Sequence, residues 1–362
     1  MNNQNITLYP SNWLYNAGVI GLSIVLESLG EELKDGEIEK ITKNSDDIFG
    51  KWEDLSPKSK KGRSMVYGFK SAYYSNQTKR SIKNKINALI NENVSQKTGK
   101  IIFSCIFCAN QIQTSKTKAT FLNQAFGNIL LGSERTFNNM YWNNISRDFV
   151  CPKCEFIIMC HHLAFTRLSD GSEIFINAPS FKAMYYLNRF VRETYGSSDK
   201  QETREKREIL AMSVIEYATK IQATLGVWTW MNIEVISKYK VKLENNKWED
   251  KIEFFSLPYE VIQIISDRKI AAILSDIGEF KILNLVLNQH YSELVELGYR
   301  LLREALSEKK NDKFIDYWLY QYKNKNNLNE TANKILNLYT LIEEKIKTEV
   351  SENGYCKIRS EF

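Results

Sequence analysis

Proline is scarce in this chain, five residues in 362, and histidine is scarcer at three. So few prolines leave little room for extended linkers, and the composition predicts long helices in a compact chain. Three histidines leave few candidates for a general base or a catalytic metal site. No stretch reaches the roughly 18 consecutive apolar residues that a membrane span requires. The apolar run over residues 17–26 lacks a basic lead-in and a small-residue cleavage site, so it reads as buried helix and not as a signal peptide. The expected setting is cytoplasmic, with no membrane partner, and there paired cysteines point to metal before disulfides. Also missing are a Walker-type phosphate loop, a glycine-rich dinucleotide turn and a Gly-x-Ser-x-Gly elbow. The acidic groups Glu27, Glu31, Glu32 and Glu343, Glu344, Glu349 have the look of solvated helix faces. The expectation is a protein that is not an enzyme.

What the chain does have is aromatic content, with 19 Tyr, 18 Phe and 7 Trp, and enough length for two domains. The net charge of +6 is modest but unevenly spread. Residues 58–100 hold eleven Lys or Arg and a single acid, Glu92. Such a stretch is either the electrostatic footprint of a phosphate backbone or a solvated helix face.

The pattern of apolar residues predicts an α+β protein. Ser11 is placed as the N-cap of a first helix carrying Trp13, Leu14, Ala17, Ile20, Leu22 and Leu26. Gly18 and Gly21 inside that helix predict a neighbour packed close to its backbone. The basic stretch 58–94 reads as two helices, one with Val66, Phe69, Tyr73 and Tyr74, the other with Ile82, Ile86, Leu89 and Ile90. Strands are expected at 100–107, 155–167, 173–178 and 227–239, with a hairpin turn at Ser169-Asp170-Gly171-Ser172. Helices are expected over 180–192 and 201–224, and a C-terminal bundle over 258–266, 269–277, 279–306, 312–322 and 328–350. A mixed N-terminal domain, residues 1–256, thus precedes a helical bundle at 257–362.

Cysteine supplies the sharpest motif. Cys105-Ile-Phe-Cys108 and Cys151-Pro-Lys-Cys154 are two tight knuckles separated by 42 residues. Two residues between thiolates let both reach one ion, and two such knuckles complete the tetrahedral sulfur set that Zn2+ favours. Four protein ligands leave no position for a catalytic water, so a structural zinc is expected, tying the ends of a zinc-ribbon-like insertion. In a strand, Cys160 and His162 would share one face and His161 the other; packing is the favoured role for all three. The insertion carries Lys116, Lys118, Arg135, Asn138, Asn139 and Asn143. Lysine and arginine hold phosphates, while asparagine and arginine read base edges. With Lys79, Arg80, Lys83 and Lys85 of the basic stretch, these are the candidate nucleic-acid contacts.

Three stretches, taken in order, resemble one family: Tyr9-Pro-Ser-Asn-Trp-Leu-Tyr-Asn-Ala-Gly-Val-Ile-Gly21, the paired cysteine knuckles, and Ile176-Asn-Ala-Pro-Ser-Phe-Lys-Ala-Met-Tyr-Tyr-Leu-Asn188. The chain is similar to the large subunit of a type I-B CRISPR Cascade, the Cas-eight family of the Cst subtype. The likeness runs more loosely through Phe254-Phe-Ser-Leu-Pro-Tyr259. It implies a non-catalytic subunit of an antiviral, RNA-guided complex whose partners are guide RNA, the Cascade backbone subunits, target duplex DNA and a helicase-nuclease. Such a subunit recognises the protospacer-adjacent motif, helps open the duplex and recruits the nuclease. Trp13 and Asn16 match the opening motif and are expected to pack around the first helix. The chain is short for the family at its C-terminus, so the expectation is either an abbreviated bundle or a sequence that stops early. Two other readings stand beside this one: a stand-alone zinc-ribbon nucleic-acid-binding protein, and a nuclease acting through Cys160, His161 and His162.

Overall fold

The first helix is apolar on nearly every side, so it can be stable only if other elements surround it. In the computed structural model it does lie at the centre of its unit. The structure describes residues 6–32, 37–38, 41–68, 77–91, 101–115, 119–121, 149–196, 206–220, 233–242, 248–308 and 311–357. The chain divides into two compact units, Met1–Thr203 with Glu234–Phe255, and Arg204–Ile233 with Ser256–Phe362. The fold is mixed helix and sheet, with helices making up the C-terminal part, as the residue pattern predicts.

In the first unit, β1 (Ile6–Thr7) pairs antiparallel with β2 (Glu37–Ile38), and α1 (Trp13–Glu27) lies between them in sequence. Its N-cap is Asn12, whose side chain accepts from the Tyr15 amide, and not Ser11. Ser11 is engaged otherwise: the Asn16 carboxamide accepts from its N–H at 2.8 Å and donates to its carbonyl at 2.9 Å. The same Asn16 donates to Asn177 Oδ1 at 2.9 Å, fastening the start of α1 to the sheet. Trp13 packs edge-on to Phe165 and Phe254. Both residues of the opening motif therefore pack around this helix.

Two further helices, α2 (Ser45–Leu55) and α3 (Lys79–Ile90), follow. Their N-caps, Asn44 and Thr78, accept amide protons from the first turn. Ile82, Ile86 and Leu89 are buried, as the spacing predicts. The other helix expected in the basic stretch is absent where the chain is described: residues 58–68 form a turn bridged from Lys58 to Ser64. Gly62 and Gly68, at φ 72° and 93°, hold the left-handed conformations that end a helix. Phe69, Tyr73 and Tyr74 lie outside the described residues.

A hairpin, β3 (Ile101–Ser104) with β4 (Gln111–Thr114), and a short antiparallel pair, β5 (Thr120–Phe121) with β6 (Phe149–Val150), surround the knuckles. The strand expected over 155–167 is instead α4 (Pro152–Met159), followed by a 3-10 turn, His161–Leu163. Cys151 caps α4 and Pro152 occupies its first turn, where a missing N–H costs nothing. Phe156, Ile157, Ile158 and Met159 are all buried, so this segment shows no one-sided periodicity to separate a helix from a strand. Cys160 and His162 consequently share no strand face.

Gly18 and Gly21 pack against α4. A Cβ at Gly18 would stand 2.4 Å from the Ile157 carbonyl oxygen, and one at Gly21 1.9 Å from that of Cys160. The neighbour those glycines predict is thus the backbone of α4 and its cap.

β7 (Thr166–Arg167), β8 (Glu173–Asn177), β9 (Glu234–Lys242) and β10 (Trp248–Ser256) form a four-stranded sheet in the order β10-β9-β8-β7. Gly171 at φ 80° and the Asp170 side chain, accepting from the Ser172 amide at 2.9 Å, make the predicted turn. The strand expected at 227–239 is met from Glu234 and runs on to Lys242; residues 227–232 are outside the described set. β10 is an addition to the expected elements. α5 (Phe181–Tyr195) opens on Ser180 as predicted. Its buried Asn188 accepts from the Ile176 amide at 2.8 Å and donates to the Ile176 carbonyl at 2.7 Å, continuing the ladder of β8 beyond the end of β7.

The second unit holds α6 (Lys206–Lys220), α7 (Tyr259–Ile265), α8 (Arg268–Ile277), α9 (Phe280–Leu287), α10 (Tyr291–Leu306), α11 (Asp312–Trp318), α12 (Tyr322–Asn326) and α13 (Leu328–Lys357). The helix expected over 279–306 is broken in two at Gln289, whose φ is 61°. That over 312–322 stops at Leu319, which is extended and buried. Gly278, left-handed at φ 64°, caps α8 by donating to the Leu274 carbonyl at 2.9 Å. Buried Glu279 then accepts from the amides of Tyr320 and Gln321, both at 2.8 Å, and from Asn324 Nδ2 at 2.8 Å.

Candidate metal centre

The first knuckle is the loop of the β3–β4 hairpin. The amide of Cys105 donates to the Asn110 carbonyl at 3.0 Å, and that of Ala109 to the Cys105 carbonyl at 2.9 Å. Ala109 takes φ 56°, turning the chain back after Cys108. The second knuckle joins the end of β6 to the first turn of α4. An amide from Ile106 to the Phe149 carbonyl, 3.0 Å, ties one knuckle to the other.

The four sulfurs of Cys105, Cys108, Cys151 and Cys154 all lie within 4.8 Å of one another. Cys108 and Cys151 are 3.7 Å apart, and none of the described cysteines is in a disulfide. A tetrahedral ion with metal–sulfur bonds of about 2.3 Å separates its sulfurs by about 3.8 Å, so the set fits a metal ion closely. Backbone amides supply the outer support: Cys151 N–H donates to Cys105 Sγ and Cys154 N–H to Cys151 Sγ, each at 3.4 Å. Three of the four cysteines are buried and Cys108 is half-buried.

The electrostatics point the same way. Hydrogen bonds with Cys108, Cys151 and Cys154 pull the Cys105 thiol below its ordinary range. Hydrogen bonds with its three neighbours, and burial, push Cys154 well above it. The thiols thus ionise at each other's expense, and a bound cation is what allows four thiolates together. Tyr15, stacked on Phe107 of the first knuckle at 5.5 Å, is held neutral by burial and by the cysteine charge.

Cys160 and His161 are fully buried, and His162 is hydrogen-bonded to Ser56 Oγ at 2.9 Å. His162 also packs edge-on to Trp52. These are packing roles, and no described group of three or more ligand side chains forms there.

The basic residues of α3 part company. Arg80 is exposed. Lys79 and Lys83 are exposed or half-exposed, lie near the Phe49 ring, and pair with Glu53 and Asp46 respectively. Lys85 is different: it is buried and ion-paired with buried Glu155 at 3.2 Å, with Gln77 and Ser81 also accepting its protons. Its ammonium holds α3 to α4 and does not face a phosphate from outside. The signal was there to be read, because Lys85 falls on the same side of the helix as Ile82 and Leu89, where only a paired lysine is stable. Lys116, Lys118, Arg135, Asn138, Asn139 and Asn143 lie outside the described residues. No described helix is long and apolar enough to cross a membrane.

Neither a curated protein nor a solved structure matches the chain. Residues 100–166, which span both knuckles, α4 and the start of β7, match the family described as CRISPR-associated protein (Cas_CXXC_CXXC), so the segment that gathers the four cysteines is similar to that of CRISPR-associated proteins.

Proposed function

We propose that the chain is the non-catalytic large subunit of an RNA-guided CRISPR surveillance complex of the type I-B Cst kind. In that role it recognises the protospacer-adjacent motif in duplex DNA, aids opening of the duplex and recruits the helicase-nuclease. Its partners are the guide RNA and the backbone subunits, and its metal is a structural Zn2+. One observation carries the reading: the family match falls on the segment that gathers the four sulfurs. A closed four-thiolate site has no open position for substrate or water, which favours a clamp over a catalyst. Lys79, Arg80 and Lys83 are the contacts to phosphate, since Lys85 is occupied inside the protein. Protein contacts would read the short motif while base pairing reads the target, a division of labour known from another RNA-guided effector.

The test is co-expression with the adjacent CRISPR genes, followed by purification on a tag carried by this chain. Guide RNA and backbone subunits should co-elute, with one zinc per chain and motif-dependent duplex binding. If the chain elutes alone and binds nucleic acid by itself with strong salt dependence, the stand-alone reading replaces this one.

A further inference from the structure

Beside the metal centre, α3, β4 and the start of α4 enclose an open cavity of about 640 Å³, within the range of small-ligand sites. Its walls are unusual in one respect. Asn84, Asn87 and Asn91 reach it from α3, and Asn110 and Gln111 from the end of the first knuckle. All five are exposed, and none makes a side-chain hydrogen bond to a described residue. The remaining lining divides in two. Ile112, Val150 and Pro152 give an apolar surface, and the buried Lys85–Glu155 pair with Lys153 gives a polar one.

Helix geometry adds one more group. At 100° per residue, Arg80, Asn84, Asn87 and Asn91 lie on a single stripe, opposite buried Ile82, Ile86 and Leu89. Each carboxamide presents a donor and an acceptor side by side, the combination that pairs with the edge of a base. Arg80 stands at the stripe's outer end as a cation for a neighbouring phosphate.

We infer that this cavity receives one unstacked nucleobase from a single strand, read by the carboxamides of Asn87 and Asn91, with Arg80 on the adjoining phosphate. The inference rests on the nucleic-acid reading above and adds to it a specific pocket and a single-stranded ligand. Sequence reasoning placed base readers in the insertion; the spacing of Asn84, Asn87 and Asn91 was the signal for this second set.

The test uses the full zinc-loaded chain and short fluorescent strands, one fully abasic and one abasic apart from a central adenine, each on DNA and RNA backbones. Fluorescence anisotropy should show the single base tightening binding about tenfold. Changing Asn87→Leu with Asn91→Leu should abolish that gain and leave the abasic strand unaffected. Asn84→Ala, a milder change on the same exposed stripe, should reduce the gain without abolishing it. Arg80→Ala should weaken both strands alike, and the two backbones identify which polymer supplies the base. Equal binding of the two strands, a gain that survives the leucine changes, or tighter binding of a duplex would overturn the pocket while the nucleic-acid reading stands. Binding of neither strand would overturn the pocket, whereas the proposed function stands or falls on the co-purified complex.

Discussion

In the first unit the closest contacts are made by backbone, whereas in the second they are made by side chains reaching helix ends. α1 meets the carbonyls of Ile157 and Cys160 through Gly18 and Gly21, and α4 begins on Cys151 of the four-sulfur cluster. Among the described residues of the second unit, Gly298 is the glycine in a helix contact, and there a Cβ would meet the Leu336 side chain. Its connections are instead caps and acceptors such as Asp267 and Glu279. A contact between backbones cannot relax by rotating a side chain, so the first unit depends on a few positions and the second spreads its stability over many.

Removing the metal is the strongest way to test this difference. Structural zinc contributes on the order of 10 kcal/mol or more in small zinc-binding domains. Cys151→Ser removes one sulfur of the four while leaving a hydroxyl that can still accept the Cys154 amide and cap α4, so it isolates the loss of the metal ligand. The expected outcome is loss of bound zinc, loss of hydrogen-exchange protection across α1, α3 and α4, and retained protection across α7 to α10. Equal loss in both units would show that they do not differ in this way.

The glycines come next. Alanine in an exposed helix interior gains about 1 kcal/mol over glycine, but a methyl group forced against a backbone carbonyl costs about 1–3 kcal/mol or more. Gly21→Ala should therefore destabilise more than Gly18→Ala, since its contact is shorter, 1.9 against 2.4 Å. Gly298→Ala should cost less than either, because the Leu336 side chain can move. Denaturant midpoints for the three variants order the contacts directly.

Those glycines also show what a sequence can reveal. Two glycines within a strongly apolar helix announce a close neighbour, but the identity of that neighbour depends on α4. The residues of α4 are buried all round, so their pattern does not separate helix from strand. The knuckles were legible because thiolate geometry imposes a short spacing that few other constraints produce. The burial of Lys85 was legible from its place beside Ile82 and Leu89, but the identity of its partner was not, since Glu155 lies 70 positions away in sequence. In the second unit the amphipathic helices were legible from their spacing, and the break at Gln289 was not, since a left-handed glutamine leaves no pattern.

In the second unit, Glu279→Ala leaves the amides of Tyr320 and Gln321 without their acceptor. Unsatisfied amides cost about 1–3 kcal/mol each when buried. With both near the surface, a loss of about 2–3 kcal/mol is expected, seen as faster hydrogen exchange in α11 and α12 and none in α1.

Acid should separate the units by the smallest margin. Burial, and then the charge of Lys238, push His162 down to about 3 in the folded protein. Unfolded histidine titrates near 6.5, so between these values the unfolded chain binds the extra proton. The contribution of His162 is therefore complete above pH 6.5 and is lost as pH falls toward 3, by about 1–2 kcal/mol at pH 5. Fully buried His161 is shifted in the same direction. In the second unit, Asp276 is held below the usual carboxylate range by its hydrogen bond to Lys334. Its contribution is present above pH 4 and is lost only below that. Being half-exposed, it is worth under about 1 kcal/mol. Lowering pH from 7 to 5 should thus reduce protection in the first unit and leave the second unchanged. Comparing wild type with His162→Gln isolates the histidine, because acid release of metal from the cysteines is common to both. If the two proteins lose protection in parallel, His161 or the cysteines, and not His162, set the acid limit.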